Sequence, residues 1–377
     1  MTLPSHCLFW EPAQRYAMQS DVWVHDLNPY LVRFSDHLGI RWYGLSYLAG
    51  FLASALICYF LVRRQSKDPA PGIMAPHQVG NFVSACVFGT LIGGRLGYAV
   101  FYAPRLFLTT SAQPPYWEVL KIWSGGMSSH GGLLGVALAV LIFSRRQRLN
   151  WLGVGDLVVL GASVGIFFGR IANFINGELF GRLIPSDSLW PRALSVKFPG
   201  EMYLWLQHDR TLGLLGSPSL TSAAEAVGVS PLQWQSSIAR LSNDASSESQ
   251  IRLILQQLIQ QIGSGNQQIR DLIAPQLSAR YPSQLIEAVL EGPLLFFLAV
   301  WFWRKPRKPG EVAAFWLIAY AVVRIIGEQF RMPDAAIGFE LWGLTRGQWL
   351  SVAMLVACMV FYLYAATRKQ AEVRGWR

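Results

Sequence analysis

The sequence predicts an all-α, polytopic membrane protein. Seven transmembrane helices are expected, with an extended periplasmic head of short helices and irregular segments between the fourth and fifth. Three observations carry that expectation. Only 14% of the 377 residues are charged, against roughly 25% in a soluble domain. Seven stretches approach the roughly 20 mostly apolar residues that a bilayer core requires. The basic residues gather on alternate connections, as the positive-inside rule demands.

The elements follow in order. Residues 1–41 form an N-terminal periplasmic arm. It mixes Glu11, Arg15, Asp21, Asp26 and Asp36 with aromatics and offers no apolar h-region, so it does not read as a cleaved signal. Residues 42–178 hold spans one to four, at about Trp42–Leu61, Val79–Tyr102, Gly131–Ser144 and Leu157–Ile175. Residues 283–377 hold spans five to seven, at about Ala288–Trp303, Ala313–Phe330 and Gly347–Ala366, and a cytoplasmic tail. The third and fifth are short as purely apolar runs and need flanking glycine or polar residues to cross. Arg63, Arg64 and Lys67, then Arg145, Arg146 and Arg148, then Arg304, Lys305, Arg307 and Lys308, and finally Arg368, Lys369, Arg374 and Arg377 follow the odd spans. The opposite short segments hold half as many: Arg15, Arg33, Arg41, Arg105, Lys121, Arg331 and Arg346. The N-terminus is therefore expected outside and the C-terminus in the cytoplasm. The formal charge of +10 belongs to that topology and gives no reason to expect nucleic acid. Cys7, Cys58, Cys86 and Cys358 lack C-x-x-C spacing, so neither a disulfide framework nor a metal site is expected.

The head, residues 179–282, opens on a proline- and turn-rich part and continues as helix. Ser222-Ala-Ala-Glu225 fits a capping box, and Ser230-Pro231-Leu232-Gln233 places Ser at N-cap, Pro at N1 and Gln at N3. Between Ser249 and Ile262, Ile251, Ile254, Leu255, Leu258, Ile259 and Ile262 repeat at helical period. An amphipathic cap is the plain reading, and a selector for a protein substrate is the functional one.

Charged groups at bilayer depth are costly and mark function. Three sets stand out. Gly169-Arg170-Ile-Ala-Asn173-Phe-Ile-Asn176-Gly177-Glu178-Leu-Phe-Gly181-Arg182 closes span four, with Arg170, Asn173 and Gly177 on one helical face and Asn176 following on that side. A lone arginine there would snorkel; two amides and a carboxylate beside it argue for a site. Tyr320, Arg324, Glu328 and Arg331 space out as one polar stripe in span six, either a self-neutralising ladder or an anion-binding wall with one positive charge in excess. Gly125-Gly126-Met-Ser-Ser129-His130-Gly131-Gly132 enters span three; its histidine is either an interfacial hydrogen-bonder or a group that takes a proton near neutral pH. Arg95, in Gly93-Gly94-Arg95-Leu-Gly97-Tyr98, is either a further cation of the site or a residue near an interface.

The run from Gly169 to Arg182 resembles the signature of the prolipoprotein diacylglyceryl transferase family. Supporting matches are Trp42-Tyr43-Gly44, Gly93-Gly94-Arg95, the Gly125–Gly132 run, Pro282-Ser283-Gln284-Leu285 with Glu287 and Glu291-Gly292, and Arg324 through Asp334. The resemblance covers everything except about 201–280. It departs in a longer head and in Tyr281 and Ile286, where a histidine and a tyrosine are usual. It implies an inner-membrane transferase that moves the diacylglyceryl group of phosphatidylglycerol to the lipobox cysteine of a prolipoprotein, releasing glycerol phosphate. It further implies that Arg170 contacts the lipid head group, that Asn173, Glu178 and Gly181 shape its pocket, and that His130, Tyr43, Tyr320, Arg324 and Glu328 belong to the reaction site. Asn176 and Arg331 join the substrate-binding set from their spacing. The expected partners are phosphatidylglycerol, the prolipoprotein signal peptide and the bilayer; no cofactor, metal or nucleic acid is expected, and the chain is expected to be a monomer. A transporter using the Arg/Glu pairs would show related halves, which the sequence lacks, and a non-catalytic lipid scaffold would have no need of His130 or Tyr320.

Overall fold

A computed structural model describes residues 22–34, 39–67, 72–112, 114–122, 125–185, 188–206, 213–241, 245–333, 341–373 and 375. Cys7, Asp36, Asp334 and most of the N-terminal arm lie outside the described residues. Among the described residues there are five short strands: β1 (Trp23–Val24), β2 (Tyr30–Arg33), β3 (Gly39–Arg41), β4 (Val196–Lys197) and β5 (Ala279–Arg280). The principal helices are α1 (Trp42–Gln65), α2 (Val79–Phe101), α3 (Ser129–Gln147), α4 (Trp151–Ile175), α5 (Met202–Trp205), α6 (Pro218–Ala226), α7 (Pro231–Arg240), α8 (Ala245–Gly263), α9 (Gln267–Ile273), α10 (Ser283–Val289), α11 (Leu295–Phe302), α12 (Glu311–Gly327) and α13 (Arg346–Thr367).

Among the described residues, five helices are long and apolar enough to cross a membrane: Trp42–Gln65, Pro76–Phe101, Trp151–Ile175, Ser283–Phe302 and Arg346–Thr367. The fifth expected span gains its length because α10 and α11 join through a π-helical turn, Leu290–Leu294, that carries Pro293. The third and sixth expected spans fall short. Helix α3 opens on Ser129, His130 and two glycines and closes on Arg145 and Arg146, which dilutes its apolar character. Helix α12 has 17 residues.

The chain divides into two compact units. One comprises Tyr47–Phe167, Glu291–Val323 and Ser351–Arg377. In it, α2 and α3 meet along glycines. A Cβ on Gly97 would lie 2.6 Å from Gly131 Cα, one on Gly89 2.6 Å from Gly135 O, and one on Gly93 would collide with Gly131 O. Small residues at four-residue spacing let two helix backbones touch, which in lipid replaces the hydrophobic drive available in water. Gly135→Val is expected to cost about 1–3 kcal/mol or more through overpacking, read as a lower melting temperature in detergent. Asp156 of α4 caps α12 from across the unit, accepting the N–H of Gly310 at 2.8 Å and of Ala313 at 2.7 Å. Cys58 and Cys358 are buried free thiols and Cys86 a partly buried one.

The other unit comprises Met1–Ser46, Phe168–Leu290 and Arg324–Leu350. Strand β4 pairs in parallel with β1 and antiparallel with β5, while β2 and β3 form a hairpin. Helices α5 to α9 enclose a core of their own. Ile251, Leu255, Leu258 and Ile262 of α8 meet Trp205, Leu220, Trp234, Ile269 and Ile273; the period read from the sequence is the buried face. Ser230 and Gln233 form the expected capping box, with Pro231 at N1. Ser222 does not cap. It lies inside α6, whose N-cap is Ser217, bonded to Leu220 N–H and followed by Pro218.

Candidate active site

The site is built in the second unit described, where α4 ends. After Ile175 the chain turns at Gly177 (φ +64°). Gly177 N–H donates to Phe174 O at 2.9 Å and Glu178 N–H to Asn173 O at 3.1 Å, a left-handed glycine stop that satisfies the last carbonyls. Asn176 follows the last residue of α4, and its N–H still donates to Ala172 O at 2.9 Å. His25 props this turn: its Nε2 donates to Phe174 O at 2.6 Å, its ring stacks on Phe198, and burial lowers its pKa. No local pattern in the sequence marks His25 for that role.

The next residues are held on two sides. Gly181 N–H donates to Tyr281 O at 3.1 Å, and Arg182 N–H to Phe330 O at 2.9 Å. Gly181 also forms a bridge with Arg331. A Cβ there would collide with Tyr281 O and come within 2.6 Å of Phe330 O, so only glycine fits. From the start of α10, Ser283 Oγ donates to Leu179 O at 3.1 Å and Gln284 Nε2 to Glu178 O at 2.7 Å. The Pro-Ser-Gln motif therefore clasps the Asn-Gly-Glu turn.

This weave gathers the arginines around Glu287, whose side chain is 0% exposed. Its Oε1 accepts from Arg324 at 2.6 Å, and its Oε2 faces Arg170 at 2.9 Å and Arg331 at 3.5 Å. Arg324 pairs through its other terminal nitrogen with Glu328, which also accepts from Thr345 Oγ1 at 3.1 Å. Arg182 donates to the main-chain oxygens of Glu328 and Arg331 at 3.0 and 2.9 Å. Side-chain exposure is 14% for Arg170, 15% for Arg324 and 21% for Arg331, whereas Glu328 keeps 5%. The carboxylates are sealed beneath and the cations keep an open edge. Four arginines against two glutamates leave positive charge over, and guanidinium forks suit a phosphate. Burial, followed by the other arginines, lowers the Arg331 pKa against the pull of Glu287; burial likewise lowers that of Arg182 against Glu328.

Tyr43 joins by donating its hydroxyl to Asn173 Oδ1 at 2.8 Å. Burial raises the pKa of Glu178, opposed by a hydrogen bond from Asn176. This unit thus brings Arg170, Arg324, Glu328 and Arg331 together through Glu287, ties Tyr43 to Asn173, and ties Asn176 to Glu178 beside Gly181. His130 and Tyr320 belong to the other unit. His130 is the exposed second residue of α3, and Tyr320 stacks on Trp316 at 5.3 Å within α12. The expected stripe from Tyr320 to Arg331 on one helix is corrected: α12 ends at Gly327, and Arg331 reaches Glu287 from the bridge to Gly181. Glu287 and Arg182 carry no assigned role in the sequence reading. Glu287 shows in the sequence as a carboxylate abutting an apolar span and as a match to the family pattern, and nothing in its spacing names its partners.

A family model described as prolipoprotein diacylglyceryl transferase matches residues 29–364. The chain is 43% identical over 354 residues to the phosphatidylglycerol–prolipoprotein diacylglyceryl transferase of Bdellovibrio bacteriovorus, covering 94% of this chain and 97% of that protein. It is 35% identical to the protein of the same name from Rhodospirillum rubrum, over 93% of this chain and 97% of the relative. For that of Burkholderia multivorans the figures are 34%, 91% and 97%.

Proposed function

Since the chain belongs to the prolipoprotein diacylglyceryl transferase family, we propose that it moves the diacylglyceryl group of phosphatidylglycerol onto the lipobox cysteine of prolipoproteins, using the arginine cluster around Glu287 to grip the lipid phosphate. It is a transferase of lipoprotein maturation and a multi-pass membrane protein. The observation that supports the grip is the pairing of sealed carboxylates with part-open arginines. Arg170, Arg324 and Arg331 offer N–H donors to the phosphate, and Asn173, Asn176, Glu178 and Gly181 shape the head-group pocket beside Tyr43.

In the reaction the cysteine sulfur forms a bond to the terminal glyceryl carbon of the lipid as that carbon's bond to the phosphate oxygen breaks. The electron pair leaves with glycerol phosphate, whose charge the arginines balance. The thiol proton goes to His130 as general base, and Tyr320 and Glu328 complete the reaction set, Glu328 by orienting Arg324. We place the enzyme in the bacterial inner membrane as a monomer with seven spans, α3 and α12 included. Its N-terminus and helical head are periplasmic and its C-terminus cytoplasmic, which sets the site at the outer leaflet where precursor and lipid meet.

His130→Gln is expected to slow glycerol phosphate release from phosphatidylglycerol plus a lipobox peptide by about 100-fold or more, the range of general-base catalysis. Full activity of His130→Gln between pH 6 and 8 would remove histidine from the base role. Release that needs no peptide would point to hydrolysis instead of transfer.

A further inference from the structure

We propose that Arg95 positions His130, acting through the main chain of the glycine segment that leads into α3; the proposal rests on reading His130 as the proton acceptor. Arg95 lies on α2 and is only 5% exposed. Its guanidinium makes two sets of bonds, all to main-chain carbonyls. On one edge Nε and one terminal nitrogen donate to Val119 O and Glu118 O, both at 2.8 Å. On the other, the second terminal nitrogen donates to Gly125 O at 2.5 Å and Gly126 O at 3.1 Å. A buried arginine in an apolar helix ordinarily meets a carboxylate. Here the fork ties residues 118–119 to residues 125–126.

The neighbours of Arg95 extend the hold toward α3. Gly94 O accepts from Ser128 N–H at 2.9 Å. Ser128 Oγ in turn accepts from Gly131 N–H at 3.2 Å and caps the helix. Gly126 adopts φ +75°, and a Cβ on it would lie 2.5 Å from the Tyr98 ring. One stretch of α2, from Gly94 to Tyr98, therefore fixes residues 125–128, and His130 follows two residues on. Because the His130 side chain is exposed, its position is inherited from the backbone that carries it. Lysine cannot replace the fork, since one ammonium on a flexible stem does not span both edges.

The test is a double-mutant cycle on the full chain with Arg95→Lys, His130→Gln and the combined variant, each purified folded and monodisperse. Arg95→Lys is expected to lower kcat about 100-fold, the scale of a misplacement of about 1 Å, with KM for phosphatidylglycerol within about twofold. The combined variant is expected to be no slower than His130→Gln, because a misplaced base and a missing base are the same loss. Near wild-type kcat in Arg95→Lys, or losses that multiply in the combined variant, overturn the positioning role while leaving the base reading intact. A fully active His130→Gln overturns the base reading, and the positioning role with it. If Arg95→Lys does not fold, Gly126→Ala leaves Arg95 in place and displaces the same segment from Tyr98; multiplying losses in its cycle overturn the proposal equally.

Discussion

Arg324→Ala is expected to slow glycerol phosphate release by on the order of 100- to 1,000-fold, the usual loss when a preorganised charge is removed from developing negative charge. Arg324 is chosen over its neighbours because it bonds both buried carboxylates, Glu287 and Glu328. Its removal deletes a proposed phosphate donor and also leaves two carboxylates turned toward the same space, where they would repel the leaving group. Arg324→Lys is expected to recover little, since one ammonium does not hold two carboxylates and offer a fork as well. Release within threefold of wild type in Arg324→Ala would exclude the residue from the chemistry.

The second large effect is on stability. Glu287→Gln is expected to cost about 3–5 kcal/mol, as for a buried ion pair that loses one partner, and to abolish measurable transfer. The change preserves shape, so the loss reports charge: Arg170, Arg324 and Arg331 would face one another with their shared counter-ion gone. Thermal unfolding in detergent reads it. Glu248→Gln is the control, because its pair with Arg252 is 42–45% exposed and such pairs contribute about 0–1 kcal/mol. Equal melting shifts for the two variants would contradict the central role of Glu287.

Much of the helical framework was legible from spacing, because helix periodicity and caps are local. Ile251 through Ile262 declared their buried face, and Ser230-Pro231 declared a helix start. Ser217-Pro218 carries the same signal, and Ser222 drew attention from it only because Glu225 stands three residues on. Arg170, Arg324 and Arg331 stood out as cations beside apolar runs. Their meeting point did not. Glu287 lies 117 residues from Arg170 and 44 from Arg331, and no pattern within one segment says which distant segment it will touch. The stripe through Arg331 failed for a related reason. Spacing assumes that the helix continues, whereas tertiary pairing with Gly181 ends it at Gly327. Arg95 was visible as a charge, but its carbonyl partners are main-chain atoms, which the letters of a sequence do not distinguish.

The clasp of Gly181 and Arg182 by residues 330–331 joins positions 149 apart in the chain. During synthesis, Arg170 is therefore made long before Glu287, its counter-ion, and before the backbone that closes over its turn. A nascent chain halted ahead of Glu287 carries this arginine without that carboxylate, a charge that costs a few kcal/mol at membrane depth.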